Sequence, residues 1–194
     1  MSFKAIAVAV AALVSLSAQA AHADTWTLDG DESKIAFGSI KNNQIGEVST
    51  FKTISGGVDD GGTATVEIDL GSLDTKIDIR NERMIKHVFN AIPSAKVSAA
   101  IDMNAVSKLG VGDTMVLPSR ATLSFLGKDL NVSAELFIAR LAEDKVLVAT
   151  ADMIMFSTTV AGIDPGIDVL REIASLQEIT RVAPVTLRLV FERS

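Results

Sequence analysis

The chain has 194 residues, 48 % of them hydrophobic and 22 % charged, with a formal net charge of -6 and no cysteine. An acidic chain with charges of both signs scattered along it lacks the basic stripe that nucleic acid needs, and offers no basic face to anionic lipid headgroups. Without cysteine there is neither a disulfide framework nor a thiol nucleophile, and without tyrosine there is no phenolic acid or base.

The first residues read as an export signal. Lys4 precedes an apolar run of residues 5–16, and Ala21-His22-Ala23 supplies small residues at the best cleavage site, after Ala23, with Ala18 and Ala20 offering an earlier one after Ala20. The run is well short of the ~20 residues that span a bilayer. The expectation is a signal peptide over residues 1–23 and a mature domain over residues 24–194, located in the periplasm. The mature part loses Lys4 and is more acidic than the precursor.

Period-two alternation dominates the mature domain, as half-buried strands require. Ala64, Val66, Ile68 and Leu70 alternate with polar neighbours, as do Val97, Ala99, Ile101 and Met103. The pattern repeats at Ala121, Leu123 and Phe125, at Val132, Ala134, Leu136 and Ile138, and at Val185, Leu187, Leu189 and Phe191. Turns are expected at Asp29-Gly30, Asp59 to Gly62, Gly110 to Gly112, Gly127-Lys128 and Glu143-Asp144. Two stretches read as short helices: residues 79–89, and residues 166–176 with Asp164-Pro165 at its start. One wet and one dry face per strand, with hairpin-length links, predict an antiparallel barrel or sandwich of about eight strands.

The dry faces carry Phe37, Phe51, Phe125, Phe137, Phe156 and Phe191 with Met103, Met153 and Met155. The same residues serve a filled core or a hollow one. His87 is the one histidine outside the signal, so a His- or Cys-rich metal site lacks its parts, and a Ser-His-Asp triad would have to use His87 in a chain with no Gly-x-Ser-x-Gly element. Gly56-Gly57 and Gly61-Gly62 precede no helix and so are not phosphate loops. Catalytic residues, metal ligands and cofactors are therefore assigned to none.

Ser72-Leu73-Asp74-Thr75 followed by Arg80-Asn81-Glu82-Arg83-Met84, with Phe89 and Pro93 beyond, resembles the middle pattern of the YceI-like family. The start is similar too, in Trp26-Thr27-Leu28-Asp29, Ser33-Lys34-Ile35-Ala36-Phe37, Gly46 and Phe51, and so is the closing run from Val185 to Phe191. Asn81, Arg83 and Met84 stand where the family has Asp, His and Leu, so no role of that His carries over.

The resemblance implies a mainly β, lipocalin-like antiparallel barrel with a long apolar channel for an isoprenoid chain, either the tail of a quinone or a carrier lipid. Combined with the alternating faces, it nominates Phe37, Met84, Ile85, Phe89, Val97, Ala99, Ile101, Met103, Leu123, Phe125, Met153 and Met155 as channel lining. Residues 74–89 would form one wall or lid, with Arg80 fixing that loop through Asp74. Such a protein is a carrier and not an enzyme. The mature chain would hold no membrane span, and the sequence leaves a homodimer open. Competing readings are a secreted barrel hydrolase using an Asp/Glu pair, a structural β-domain that binds no lipid, and an outer-membrane barrel, whose aromatic girdles are missing.

Overall fold

The structure, a computed structural model, describes residues 24–193; the signal-peptide expectation at residues 1–23 lies outside them. Every strand pairing is antiparallel, and each hairpin follows from a local turn. The first strand, β1 (Asp24–Lys41), is followed by β2 (Ile45–Phe51), β3 (Ile54–Asp59) and β4 (Thr63–Asp69). At the β3–β4 turn the Asp59 carboxylate accepts the Thr63 N–H at 2.8 Å. A two-residue β5 (Leu73–Asp74) leads into helix α1 (Asp78–His87), and β6 (Ser94–Ala100) into the single-turn α2 (Met103–Ser107). The long hairpin of β7 (Thr114–Phe125) and β8 (Lys128–Ala142) precedes β9 (Lys145–Thr150) and β10 (Ile154–Ser157). Helices α3 (Thr158–Ala161) and α4 (Asp164–Ile173) then lead to β11 (Val182–Arg193).

Among the described residues the strands form one sheet, in which β1, β3, β4, β6, β7, β8, β9 and β11 succeed one another and β11 pairs back onto β1. The eight-stranded barrel closes with Trp26 opposite Arg193 and Phe37 opposite Val185. Closure removes the unpaired edges of an open sheet.

The turn expected at Asp29-Gly30 is instead a bulge inside β1. The ladder to β11 is irregular between Asp29 and Lys34. The Asp29 carboxylate accepts the N–H groups of Asp31 and Glu32, and the Ser33 hydroxyl oxygen accepts that of Val190. Because side chains satisfy these amides, the strand bends without ending. This bend lets β1 change neighbours: residues 24–27 lie beside β3, and residues 36–41 beside β2. β11 does likewise, pairing with β9 through Arg188 to Glu192 and with β10 through Val182 to Val185. The barrel thus has two unlike ends, and α1 and α4 pack at the end where β2, β5 and β10 have joined.

Gly56-Gly57 lies inside β3. A Cβ on Gly56, whose φ is +151°, would sit 2.0 Å from the Thr65 carbonyl oxygen, so only glycine lets β4 approach. The five alternating runs all turn their apolar members inward, as the period predicts.

Candidate functional site

The barrel is hollow. It holds a cavity of about 640 Å³, within the ~300–1,000 Å³ range of small-molecule sites. Its wall is apolar almost throughout, which follows from the inward members of each strand. A row of small side chains keeps it wide: Ala99 stands in register with Ala64 on one side and Ala121 on the other, and all three line the cavity. They are only half-buried although they lie inside the barrel, because they face its empty interior.

One end is sealed. Trp26, Val58, Val106, Val146 and Phe191 line it and are each no more than 7 % exposed. The guanidinium groups of Arg140 and Arg193 lie 5.4 and 5.9 Å from the Trp26 ring centre and cover it from outside. Further along, four lining phenylalanines make a chain of ring contacts. Phe37 to Phe51 is 5.6 Å between centres, Phe51 to Phe89 6.1 Å, and Phe89 to Phe125 6.0 Å with an edge-on approach.

The other end is built by α1 and α4. Arg80, Arg83, Met84 and Val88 form the inward stripe of α1 and the turn after it, at helical spacing. Helix α4 contributes Ile167, Leu170 and the following Ala174. The two helices cross closely at Gly166, where a Cβ would lie 2.1 Å from the His87 carbonyl oxygen. Thr158 and Thr159 donate to the Asp164 carboxylate at 2.6 and 2.7 Å, and Arg181 bonds Asp168 at 2.6 Å, which ties α4 to the start of β11. Burial raises the Asp164 pKa, but the two hydroxyls and Arg181 outweigh it and hold the carboxyl below its ordinary value. Ile77 and Ile79, 46 % and 50 % exposed, line the cavity where it meets solvent, so this end is the mouth.

All charged side chains among the cavity-lining residues lie at this mouth: Lys41, Glu47, Arg80 and Arg83. Glu47 receives Lys41 Nζ at 2.9 Å on one oxygen and Arg80 Nη1 on the other. The Arg80 bond holds the Glu47 carboxyl below its ordinary value; partial burial opposes this and Lys41 reinforces it. Arg80 Nη2 also donates to the Thr75 carbonyl, and its Nε is enclosed without a partner among the described residues. The Thr75 hydroxyl, in a residue only 1 % exposed, and its N–H both donate to Asn81 Oδ1, at 2.6 and 2.8 Å. Asn81 therefore ties the loop to the first turns of α1.

Of the nominated lining, Phe37, Met84, Phe89, Val97, Ala99, Ile101, Met103, Leu123 and Phe125 surround the cavity. Three do not. Met153 and Met155 are 63 % and 64 % exposed, because Ile154 and Phe156 are the inward members here. Both parities of this stretch are apolar, so alternation carries no signal. Ile85 packs on the core from α1 but lies off its inward stripe. Phe137 is likewise outside the lining, since Leu136 and Ile138 beside it take the inner positions.

The loop-fixing pair also differs from expectation. Arg80 does fix the loop, but through Glu47 and the Thr75 carbonyl. Asp74 instead accepts Lys76 Nζ at 2.9 Å and the Lys76 N–H at 2.8 Å, with Lys52 at 3.6 Å, and these bonds lower its pKa to about 2. Glu47 escapes the sequence reading, though its parity with Ser49 and Phe51 on β2 places a carboxylate on a dry face. A two-carboxylate mechanism finds one lining carboxylate, and that one is engaged by two cations.

No protein-family model matches the chain, and no curated protein matches it. Among solved structures, a polyisoprenoid binding domain from Saccharophagus degradans, implicated in plant cell wall breakdown, superposes with a TM-score of 0.87. It is 31 % identical over 89 % of this chain and 100 % of that one. BcnA of Burkholderia cenocepacia superposes with a TM-score of 0.62 at 17 % identity, covering 84 % of this chain and 98 % of its own, a likeness of fold alone. With a closed antiparallel barrel, a matching order of motifs and a relative of that identity across nearly its whole length, the chain belongs to the YceI-like family.

Proposed function

We propose that this chain is an exported, non-catalytic carrier that holds an isoprenoid lipid in its barrel, tail inward, and works in the periplasm. The observation that carries the reading is the cavity itself: about 640 Å³, apolar along most of its length, sealed at Trp26 and charged only at the mouth. An isoprenoid tail has almost no polar atoms, so its transfer from water gains ~25 cal/mol per Å² of apolar area buried. The relative's description as a polyisoprenoid binding domain supports the ligand class. Among the described residues no helix is long and apolar enough to cross a membrane. Export rests on the pattern at residues 1–23.

Organic extraction of freshly purified protein, followed by mass spectrometry, tests the ligand. A stoichiometric isoprenoid is the expected result. Extracts without lipid, together with failure of the emptied protein to take up a polyprenol, would refute it. Intact mass of protein from the periplasmic fraction, expected to begin at Asp24, tests the export.

A further inference from the structure

We propose that the cavity mouth is an anion subsite, and that the lipid this chain prefers carries a negatively charged phosphate head in place of an uncharged quinone or alcohol. This rests on the isoprenoid reading of the cavity and narrows it.

The charges at the mouth do not cancel. Lys41 and Arg80 share the single carboxylate of Glu47, which leaves one positive charge in excess. Arg83 adds a second. It lines the cavity, is half-buried, and makes no hydrogen bond or ion pair among the described residues. It follows Arg80 at the i, i+3 spacing on α1, so both guanidinium groups leave the same face of the helix. The acidic residues of α1, Asp78 and Glu82, are exposed and absent from the lining.

The sign at the mouth opposes that of the whole chain, whose formal net charge is -6. The positive mouth is therefore a local construction and not a share of a general field. Apolar walls behind it concentrate its potential, as low-dielectric clefts do. The donors of Arg80 are largely committed to Glu47 and Thr75, so its contribution is charge and position. Those of Arg83 are free, and a guanidinium fork matches phosphate oxygens in geometry as well as charge. A phosphate ester on an isoprenoid would complete both halves of the site, tail against the apolar wall and head against Arg83. A neutral quinone ring would leave the excess charge uncompensated.

Binding of a polyprenyl phosphate and of the polyprenol of equal chain length to lipid-free protein tests this. The phosphate should bind roughly tenfold or more tightly, the range of a hydrogen bond to a charged group. Arg83→Gln should erase most of that advantage and leave the polyprenol unchanged. Glu47→Gln, which frees Lys41 and Arg80, should enlarge it, an opposite effect that mere loosening of the loop does not produce. Inorganic phosphate should compete only weakly, since it lacks the tail. Equal affinity for the two lipids, an Arg83→Gln effect on both alike, or free phosphate displacing the lipid at comparable concentration would overturn the subsite. If neither lipid binds, the carrier reading falls and the subsite with it; if the polyprenol binds as well as its phosphate, the subsite alone falls.

Discussion

The alanine row decides whether the hollow is ligand space. Ala99 and Ala121 face each other across β6 and β7 and both line the cavity. Replacing either with leucine adds three carbons. If they enter empty space and cover apolar wall, each contributes about 0.8 kcal/mol, and ordering the new side chain costs about 0.5–1 kcal/mol. Ligand-free protein should therefore gain about 1–2 kcal/mol, or ~2–4 °C in midpoint per kcal/mol for a chain of this size. If the wall were packed, the same carbons would strain it and cost about 1–3 kcal/mol. The two cases differ in sign, which makes the assay robust. Lipid-extracted wild type, Ala99→Leu and Ala121→Leu are unfolded in urea and the midpoints compared at constant slope. Retention of an isoprenoid by the same variants should fall, because the carbons that stabilise the empty barrel occupy the space of the tail. A lower midpoint for both single variants would refute a hollow interior. The double variant is informative only after the singles, since neighbouring side chains couple and their effects do not add.

Other consequences rest on single contacts. Phe89, buried and central in the phenylalanine chain, should cost about 3–5 kcal/mol when replaced by alanine, measured by denaturant unfolding; a loss under about 1 kcal/mol would mean that the chain is incidental. Gly166→Ala should force α4 away from α1, lowering stability by about 1–3 kcal/mol and speeding amide exchange at residues 84–89, whereas unchanged exchange there would deny the close crossing. Acid should loosen the mouth first. The carboxyls of Glu47 and Asp74 are held below their ordinary values of 4.5 and 3.8, Asp74 at about 2. Lowered folded-state values mean that their stabilisation is complete above those ordinary values and is lost as pH falls through the folded ones. Protection factors at residues 74–84, taken against the intrinsic exchange rate at each pH, should therefore fall between about pH 4.5 and pH 2, ahead of the sealed end; uniform loosening of both ends would contradict this.

Much of the barrel is legible in the chain because a closed antiparallel sheet repeats one local rule. β4, β6, β7, β8 and β11 alternate over most of their length and turn the members of that alternation inward, Phe137 on β8 being the exception, with an apolar neighbour on each side. The rule fails where its premise does. Met153-Ile154-Met155-Phe156 has no polar member, so its two faces are indistinguishable until β11 pairs Ile154 with Val185 and sets the parity. At Asp29-Gly30 the local chemistry is that of a turn, and the Asp29 side chain does bond like one. Only the continuing ladder to β11 on both sides converts it into a bulge, and that ladder is a contact between opposite ends of the chain.

The mouth is harder to read for a physical reason. Arg80 and Asp74 are close in sequence and opposite in charge, which makes them natural partners by spacing alone. Asp74, however, is claimed at shorter range by Lys76, through both side chain and backbone, while the inward turn of α1 carries Arg80 away toward β2. Its carboxylate partner, Glu47, lies 33 residues earlier, and only β5 pairing with β2 brings the two together. Two weak positions of the sequence thus gain meaning together. A carboxylate on a dry face is costly until a cation reaches it, and an arginine aimed at an apolar cavity is costly until a carboxylate does. Arg83 has no such partner among the described residues, which is why the charge left over at the mouth belongs to the ligand.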